Sequence, residues 1–237
     1  MPRWWIGAVQ FSFGLAFKGL NAISRLTLGL VFFKIEAKGA EQLKNLRGPL
    51  IVAPNHKTFV DFCFVIAAMP LNNHLVPART IGADWLFRTS DNKEEPLLRR
   101  LAKKVGVFFS RCLARSIGAD PARKGAGLEI SLHNLLVELE KGHVVYIHSE
   151  GGIRYKPGIF PVKRGAAYLA RETGAPVLPI AIRGVEYFTP WSFFFGRREV
   201  TISFGKPLYI DPSKSLEEAS LDIWQAIKNL YAEPPKN

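Results

Sequence analysis

A histidine and an aspartate are the residues of this chain best placed to do chemistry. They stand five positions apart in Pro54-Asn55-His56-Lys57-Thr58-Phe59-Val60-Asp61. A carboxylate bonded to one imidazole nitrogen fixes the tautomer and leaves the other nitrogen to take a proton. Such a pair can activate a hydroxyl that arrives with a substrate, so that no nucleophile from the protein is needed. Spacing alone leaves a plainer reading open, in which His56 and Asp61 cap a helix and bond backbone.

Three other stretches carry residue types that handle anions. The first is His148-Ser149-Glu150-Gly151-Gly152-Ile153-Arg154-Tyr155-Lys156-Pro157-Gly158. Glycines beside Glu150 let backbone approach a ligand closely. The planar fork of Arg154 suits two phosphate oxygens. Lys163 and Arg164 follow, at the expected start of a helix, where the dipole also favours anions. A glycine-rich surface turn with solvated charges is the plainer reading. The second stretch, Phe108-Phe109-Ser110-Arg111, reads as an arginine at the end of a buried strand. The third, Val177-Leu178-Pro179-Ile180-Ala181-Ile182-Arg183-Gly184, is mostly a core strand, with Pro179 marking an edge or a bulge.

Elements of alternating type must hold these residues. Strands are expected at 32–37, 50–53, 107–109, 144–147, 177–182 and 200–204, and helices at 61–69, 97–105, 128–139, 165–171 and 216–231. Gly142 sits where a helix C-cap belongs. The tail after Ala232 is rich in proline. The order predicts an α/β fold, a mixed and largely parallel sheet flanked by helices. Function in such sheets gathers where strands end.

Residues 4–33 are apolar but interrupted by Lys18, Asn21 and Arg25. Neither uninterrupted piece reaches the roughly 20 residues that cross a bilayer. The expectation is a hairpin of two short helices, broken near Gly19-Leu20-Asn21 and lying in one leaflet. Trp4 and Trp5 would sit at headgroup level, and Lys18 and Arg25 would meet lipid phosphates. A single tilted span, a buried hairpin and a signal peptide are the alternatives. Two parts follow: a membrane-associated segment at 1–33 and a catalytic domain at 34–237.

With 48% hydrophobic residues the chain has ample material for a core. Cys63 and Cys112, both in apolar runs, point to packed thiols in a reducing compartment. No cysteines stand at zinc-ligand spacing and the five histidines form no ligand cluster in the sequence, so no metal is expected. The net charge of +12 favours a polyanionic partner. No nucleic-acid-binding motif accompanies it, and the apolar N-terminus points to an anionic membrane surface.

Taken in order, these stretches resemble the glycerolipid acyltransferase family that includes the bacterial 1-acylglycerol-3-phosphate acyltransferases. That family carries an Asn-His-x-x-x-x-Asp motif, intact here as Asn55, His56 and Asp61. A strand-end Arg motif is matched by 108–111. A Glu-Gly-Thr-Arg motif is altered to Glu150-Gly151-Gly152-Ile153-Arg154, without the Thr and with Arg one place late. The Val-Pro-type strand is matched at 178–184. The resemblance covers roughly 34–205. It implies that His56, held by Asp61, deprotonates a hydroxyl of a lyso-phospholipid acceptor. The alkoxide then attacks an acyl thioester of coenzyme A or acyl carrier protein, with no bound cofactor and no covalent acyl-enzyme. Arg111, Arg154 and Lys163 would hold the acceptor phosphate. Glu150 and Gly151 would shape its pocket, with backbone N–H groups at the oxyanion. The implied location is the cytoplasmic face of a membrane, the inner membrane in a bacterium. The altered motif leaves another lyso-lipid or glycerol 3-phosphate open as acceptor. A non-catalytic, membrane-binding member of the fold also remains open.

Overall fold

The computed structural model describes residues 1–26, 33–70, 75–82, 87, 96–123, 125–186 and 198–232. Among these, seven strands form one sheet: β1 (Phe33–Lys38), β2 (Leu50–Pro54), β3 (Ala78–Gly82), β4 (Ala119–Pro121), β5 (Val144–Tyr146), β6 (Val177–Arg183) and β7 (Arg198–Phe204). Their order is β1-β7-β6-β2-β5-β3-β4. All neighbours run parallel except β6 and β7. The fold is therefore the expected mixed, largely parallel sheet with helices on its faces.

Side chains alternate across a strand, so each strand feeds two cores. Leu50 and Val52 join Tyr146, Leu178 and Ile180 under α1 (Arg3–Leu26) and α2 (Asp61–Ala68). Ile51 and Ala53 join Val145 and Val177 under α4 (Gly127–Glu140), α5 (Gly165–Thr173) and α6 (Leu216–Ala232). This double burial is why β2 and β6 read as unbroken aliphatic runs. Helix α4 buries Leu132, Leu135 and Leu139 on one stripe. It stops at Gly142, whose φ of 78° lets its N–H reach Leu139 O while His143 N–H reaches Glu138 O.

Several expectations are corrected. The N-terminal segment does not break near Gly19; α1 is one helix of 24 residues. One glycine weakens a helix by only about 1 kcal/mol, and flanking contacts hold the axis. Lys18 Nζ donates to Ala67 O and Met69 O at 2.6 Å each, and Asn21 Oδ1 accepts from Ile35 N–H at 2.7 Å. Lys18 thus caps the C-terminal carbonyls of α2 rather than facing lipid phosphate. The second helix of the expected hairpin and the proline-rich tail lie outside the described residues, as does the Arg25 side chain.

The strand expected at 107–109 is also overturned. Val107, Phe108 and Phe109 lie inside α3 (Leu97–Ser116), and the place beside β3 is filled by β4. Cys112 is exposed on α3, whereas Cys63 is half-buried, so only Cys63 is a packed thiol. Pro179 marks no edge, because β6 lies between β2 and β7. Its carbonyl accepts from Gly205 N–H just past the end of β7, so the missing N–H falls where that ladder has stopped.

Candidate active site

The site is built on the turn between β2 and α2. Asn55 is fully buried and extends the sheet with its side chain. Its Nδ2 donates to Ile182 O at 3.0 Å and its Oδ1 accepts from Ile182 N–H at 2.7 Å. That anchor fixes where His56 emerges.

Asp61, also fully buried, is the first residue of α2. A carboxylate there gains from the helix dipole. It accepts from Lys57 N–H at 2.6 Å, from Thr58 N–H at 3.0 Å and from Thr58 Oγ1–H at 2.8 Å. His56 Nδ1 completes the set, 2.9 Å from Asp61 Oδ2. A carboxylate only accepts, so the ring proton belongs on Nδ1 and Nε2 is left for proton transfer. The spacing of five that looked ambiguous in sequence is a closed hydrogen-bonded loop.

The glycine-rich loop folds onto this turn. Arg154 N–H donates to His56 O at 2.8 Å, Ser149 N–H to Pro54 O at 2.9 Å, and Lys163 N–H to Ser149 O at 2.7 Å. Gly151 has a φ of 64°, and a Cβ on it would stand 2.8 Å from the Lys163 stem. Its N–H donates to His148 O at 3.2 Å. The guanidinium carbon of Arg154 lies 5.6 Å from the centre of the Phe160 ring, and both Arg154 and Lys163 are exposed. Arg164 pairs instead with Glu217 of α6 at 2.9 Å.

Glu150 is 1% exposed. Its Oε1 accepts from Phe160 N–H at 3.3 Å, while Oε2 is buried without a hydrogen bond. Burial pushes its carboxyl up from the usual range, against the opposing charge of Lys57.

Lys57 was missed in the sequence. It is 0% exposed, and its Nζ donates to Lys156 O at 3.0 Å and to Gly158 O. The ammonium also lies 5.2 Å from the Phe160 ring centre and 6.0 Å from that of Tyr231. Burial pushes its pKa down, opposed first by Glu150. One lysine therefore ties the catalytic turn to the far side of the loop. Its place inside the Asn55 to Asp61 motif was the available signal.

His148 was missed as well. Its ring stacks on His56 with centres 3.5 Å apart and planes 15° from parallel. Tyr146 meets it edge-on at 5.0 Å. Its Nε2 is buried without a partner, and burial holds the ring well below the ordinary histidine value. The expectation that no histidines cluster is thus corrected: atoms of His56, Asp61 and His148 lie within 4.8 Å of one another. Nitrogen lone pairs lie in the ring planes, so two stacked rings cannot aim them at one ion. This arrangement fits ring packing better than metal ligation.

Arg111 is not brought to the site by a strand; it lies exposed on α3. An arginine that does follow a strand end is Arg123, past β4. Ala122 N–H donates to Gly82 O at 3.0 Å, which keeps the end of β4 beside the end of β3. Strands β2, β3, β4 and β5 are parallel, so Arg123 emerges from the same sheet edge as His56. Three strand spacings, about 14 Å, separate β4 from β2.

The sequence profile of the acyltransferase family matches residues 34–183, more than half of the chain. The chain belongs to the acyltransferase family. The matched span of this acyltransferase takes in the whole His56 turn and the loop through Lys163. Over 186 residues the chain is 24% identical to 1-acyl-sn-glycerol-3-phosphate acyltransferase BAT2, chloroplastic, of Brassica napus. That match covers 75% of this chain and 46% of the relative, so the chain spans under half the relative's length. The fold is similar to the crystal structure of the 1-acyl-sn-glycerophosphate (LPA) acyltransferase PlsC of Thermotoga maritima. The TM-score is 0.60 at 18% identity, over 94% of this chain and 81% of that one.

Proposed function

We propose that this acyltransferase moves an acyl chain from a thioester to the free hydroxyl of a lyso-glycerophospholipid, 1-acylglycerol 3-phosphate first among acceptors. The observation that carries this is His56 held by a buried, fully occupied Asp61. Nε2 takes the acceptor's hydroxyl proton as the oxygen attacks the thioester carbonyl. The tetrahedral intermediate collapses, the C–S bond breaks, and the thiolate of coenzyme A or acyl carrier protein takes the proton from the imidazolium. Asp61 stabilises the charge that His56 carries between these steps. Arg154 and Lys163 offer cations for the acceptor phosphate at the mouth of the site. Arg123 takes the place of the strand-end arginine that the resemblance implied at Arg111.

Helix α1 supports an in-plane membrane seat rather than a span. Ile6, Gln10, Gly14 and Phe17 are buried on one side, and Trp4, Ala8, Phe11 and Leu15 are exposed on the other. Buried Gln10 bonds Ala78 N–H, Ala78 O and Ile117 O. A helix gripped along its length by β3 and α2 can lay its outer stripe in a leaflet but cannot be ringed by lipid. The cytoplasmic face is the side that offers thioester donors.

The test is transfer from a labelled acyl thioester to lysophosphatidic acid in detergent micelles, beside a panel of other lyso-lipids and glycerol 3-phosphate. Wild-type protein should release thiol and form phosphatidic acid, and His56→Ala should not. Equal thiol release by both proteins would refute the mechanism. A different preferred acceptor would correct the substrate and leave the chemistry standing.

A further inference from the structure

Helix α3 presents to solvent the kind of face a protein normally hides. Val107, Ser110 and Ala114 turn inward. Leu101, Val105, Phe108, Phe109 and Leu113 are each more than half exposed, between 51% and 65%. Positions 101, 105, 108 and 112 recur at helical spacing, so these side chains form one stripe centred near Cys112. Exposed Lys104, Arg111 and Arg115 lie at i, i+7 and i+11 along one border of that stripe. An apolar ridge with a cationic border is the pattern of a helix lying in a lipid interface.

A second observation names the occupant. Trp5 Nε1–H, at the start of α1, donates to Ser116 Oγ, at the end of α3, at 3.5 Å. The start of α1, whose outward stripe includes Trp4 at 72% and Leu15 at 52% exposure, therefore meets the end of α3. We propose that α3 is a second membrane-lying helix, which seats the enzyme on an anionic bilayer beside α1. Phe108 and Phe109 enter the acyl boundary while Lys104, Arg111 and Arg115 meet phosphates. This rests on the membrane reading given above, and it explains Arg111 by the lipid surface rather than by the acceptor. A partner protein would have to match a long, flat apolar ridge with single-sign charge on one border. An anionic leaflet does so without a specific fit.

The full-length chain carries its own reporter. Burial pushes the Cys63 thiol up to about 12, whereas Cys112 is exposed in the middle of the stripe. A thiol-reactive, environment-sensitive dye placed on Cys112 should shift to the blue on adding phosphatidylcholine vesicles with one-third phosphatidylglycerol. Nitroxide lipids should quench it. In flotation assays the double variant Phe108→Ser, Phe109→Ser should partition about tenfold less. Lys104→Gln with Arg115→Gln should lower binding to anionic vesicles on the order of tenfold, and to neutral vesicles hardly at all. Transfer between micelle-dispersed substrates should be unchanged in the phenylalanine variant. Protein that floats while the dye keeps its aqueous emission would overturn the proposal. So would a dye already blue-shifted in lipid-free protein that runs as a dimer, which would assign the face to a second copy. Emission and flotation are read without acyl transfer, so they stand or fall apart from the proposed reaction.

Discussion

Two buried carboxylates flank the same histidine, and they are wired in opposite ways. Asp61 accepts from Lys57 N–H, Thr58 N–H, Thr58 Oγ1–H and His56 Nδ1–H. Glu150 accepts from Phe160 N–H and keeps one buried oxygen unpartnered. The first is saturated by groups from its own turn, so it has nothing to offer a ligand and serves to hold His56. The second is held from a distance by a loop and has capacity left over. A saturated carboxylate orients; an unsatisfied one waits for a donor.

The largest effect should come from the saturated partner. Asp61→Asn places an amide where at least three donors converge, so the ring loses its anchor and Nδ1–H its acceptor. Turnover should fall about 10³- to 10⁴-fold, near the loss for His56→Ala, since a mis-set tautomer removes general-base catalysis almost entirely. The fold should also weaken by about 1–3 kcal/mol as buried donors lose their acceptor. Single-turnover kinetics and thermal melts would read both. An Asp61→Asn protein within tenfold of wild type would show that Asp61 only caps α2.

Lys57 joins the two regions, so its removal should damage the loop more than the dyad. Lys57→Met strips donors from the Lys156 and Gly158 carbonyls and leaves Glu150 buried without its opposing charge. Losing the buried ammonium and both of its hydrogen bonds should destabilise the protein by about 3 kcal/mol. For a chain of this size that is roughly 10 °C in melting temperature. KM for the acceptor should rise more than kcat falls. The reverse split would place Lys57 in the chemical step instead of the loop.

Which parts of this were legible in the sequence follows from the range of the interactions. The closed loop from His56 to Asp61 is local, and its spacing was visible at once. The two-sided core strands announced themselves as aliphatic runs, and α4 by its leucine stripe and Gly142. Lys57 could not be found that way, because its partners are about a hundred positions further on. The stack of His148 on His56 joins ends of adjacent strands for the same reason. The error at 107–109 has a different cause. Val107-Phe108-Phe109 has the composition of a strand, but here Val107 turns inward from a helix on which Phe108 and Phe109 are exposed, and composition does not reveal which face meets solvent. Taking Arg111 for a strand-end residue followed from that one misreading.

Glu150→Gln should have a middling effect. The amide keeps the shape but changes what the free oxygen position offers, so acceptor binding should weaken about tenfold, as for loss of a charged hydrogen-bond partner. Its pH signature is more telling. Burial raises the folded pKa of Glu150 above its unfolded value. The folded state then holds a proton longer, and the stabilisation is complete below the ordinary glutamate range and fades as pH rises through the folded pKa. The Gln variant lacks that loss, so its melting temperature should gain on wild type as pH is raised from 4 to 7. Parallel melting curves across that range would mean that Glu150 is solvated in solution.

The smallest effect should come from His148, and its sign is opposite. Burial lowers its folded pKa well below the ordinary histidine value, with the charge on His56 adding to the shift. Unfolded chains therefore take up a proton that the folded state refuses. The stabilisation is full above the ordinary value and is lost as pH falls below it toward the folded pKa. His148→Phe keeps an aromatic ring against His56 and removes the titration. Turnover at neutral pH should change by only a few-fold, on the scale of one aromatic contact. Between pH 7 and 5 the stability of the variant should fall less steeply than that of wild type, the slopes differing by at most one bound proton, about 1.4 kcal/mol per pH unit. Glu150 works against this slope in the wild type, so the comparison is cleanest in an Glu150→Gln background, where only His148 distinguishes the two proteins. Equal slopes there would show that the ring reaches solvent often enough to titrate freely, and the stack would then be a loose contact instead of a fixed wall behind the base.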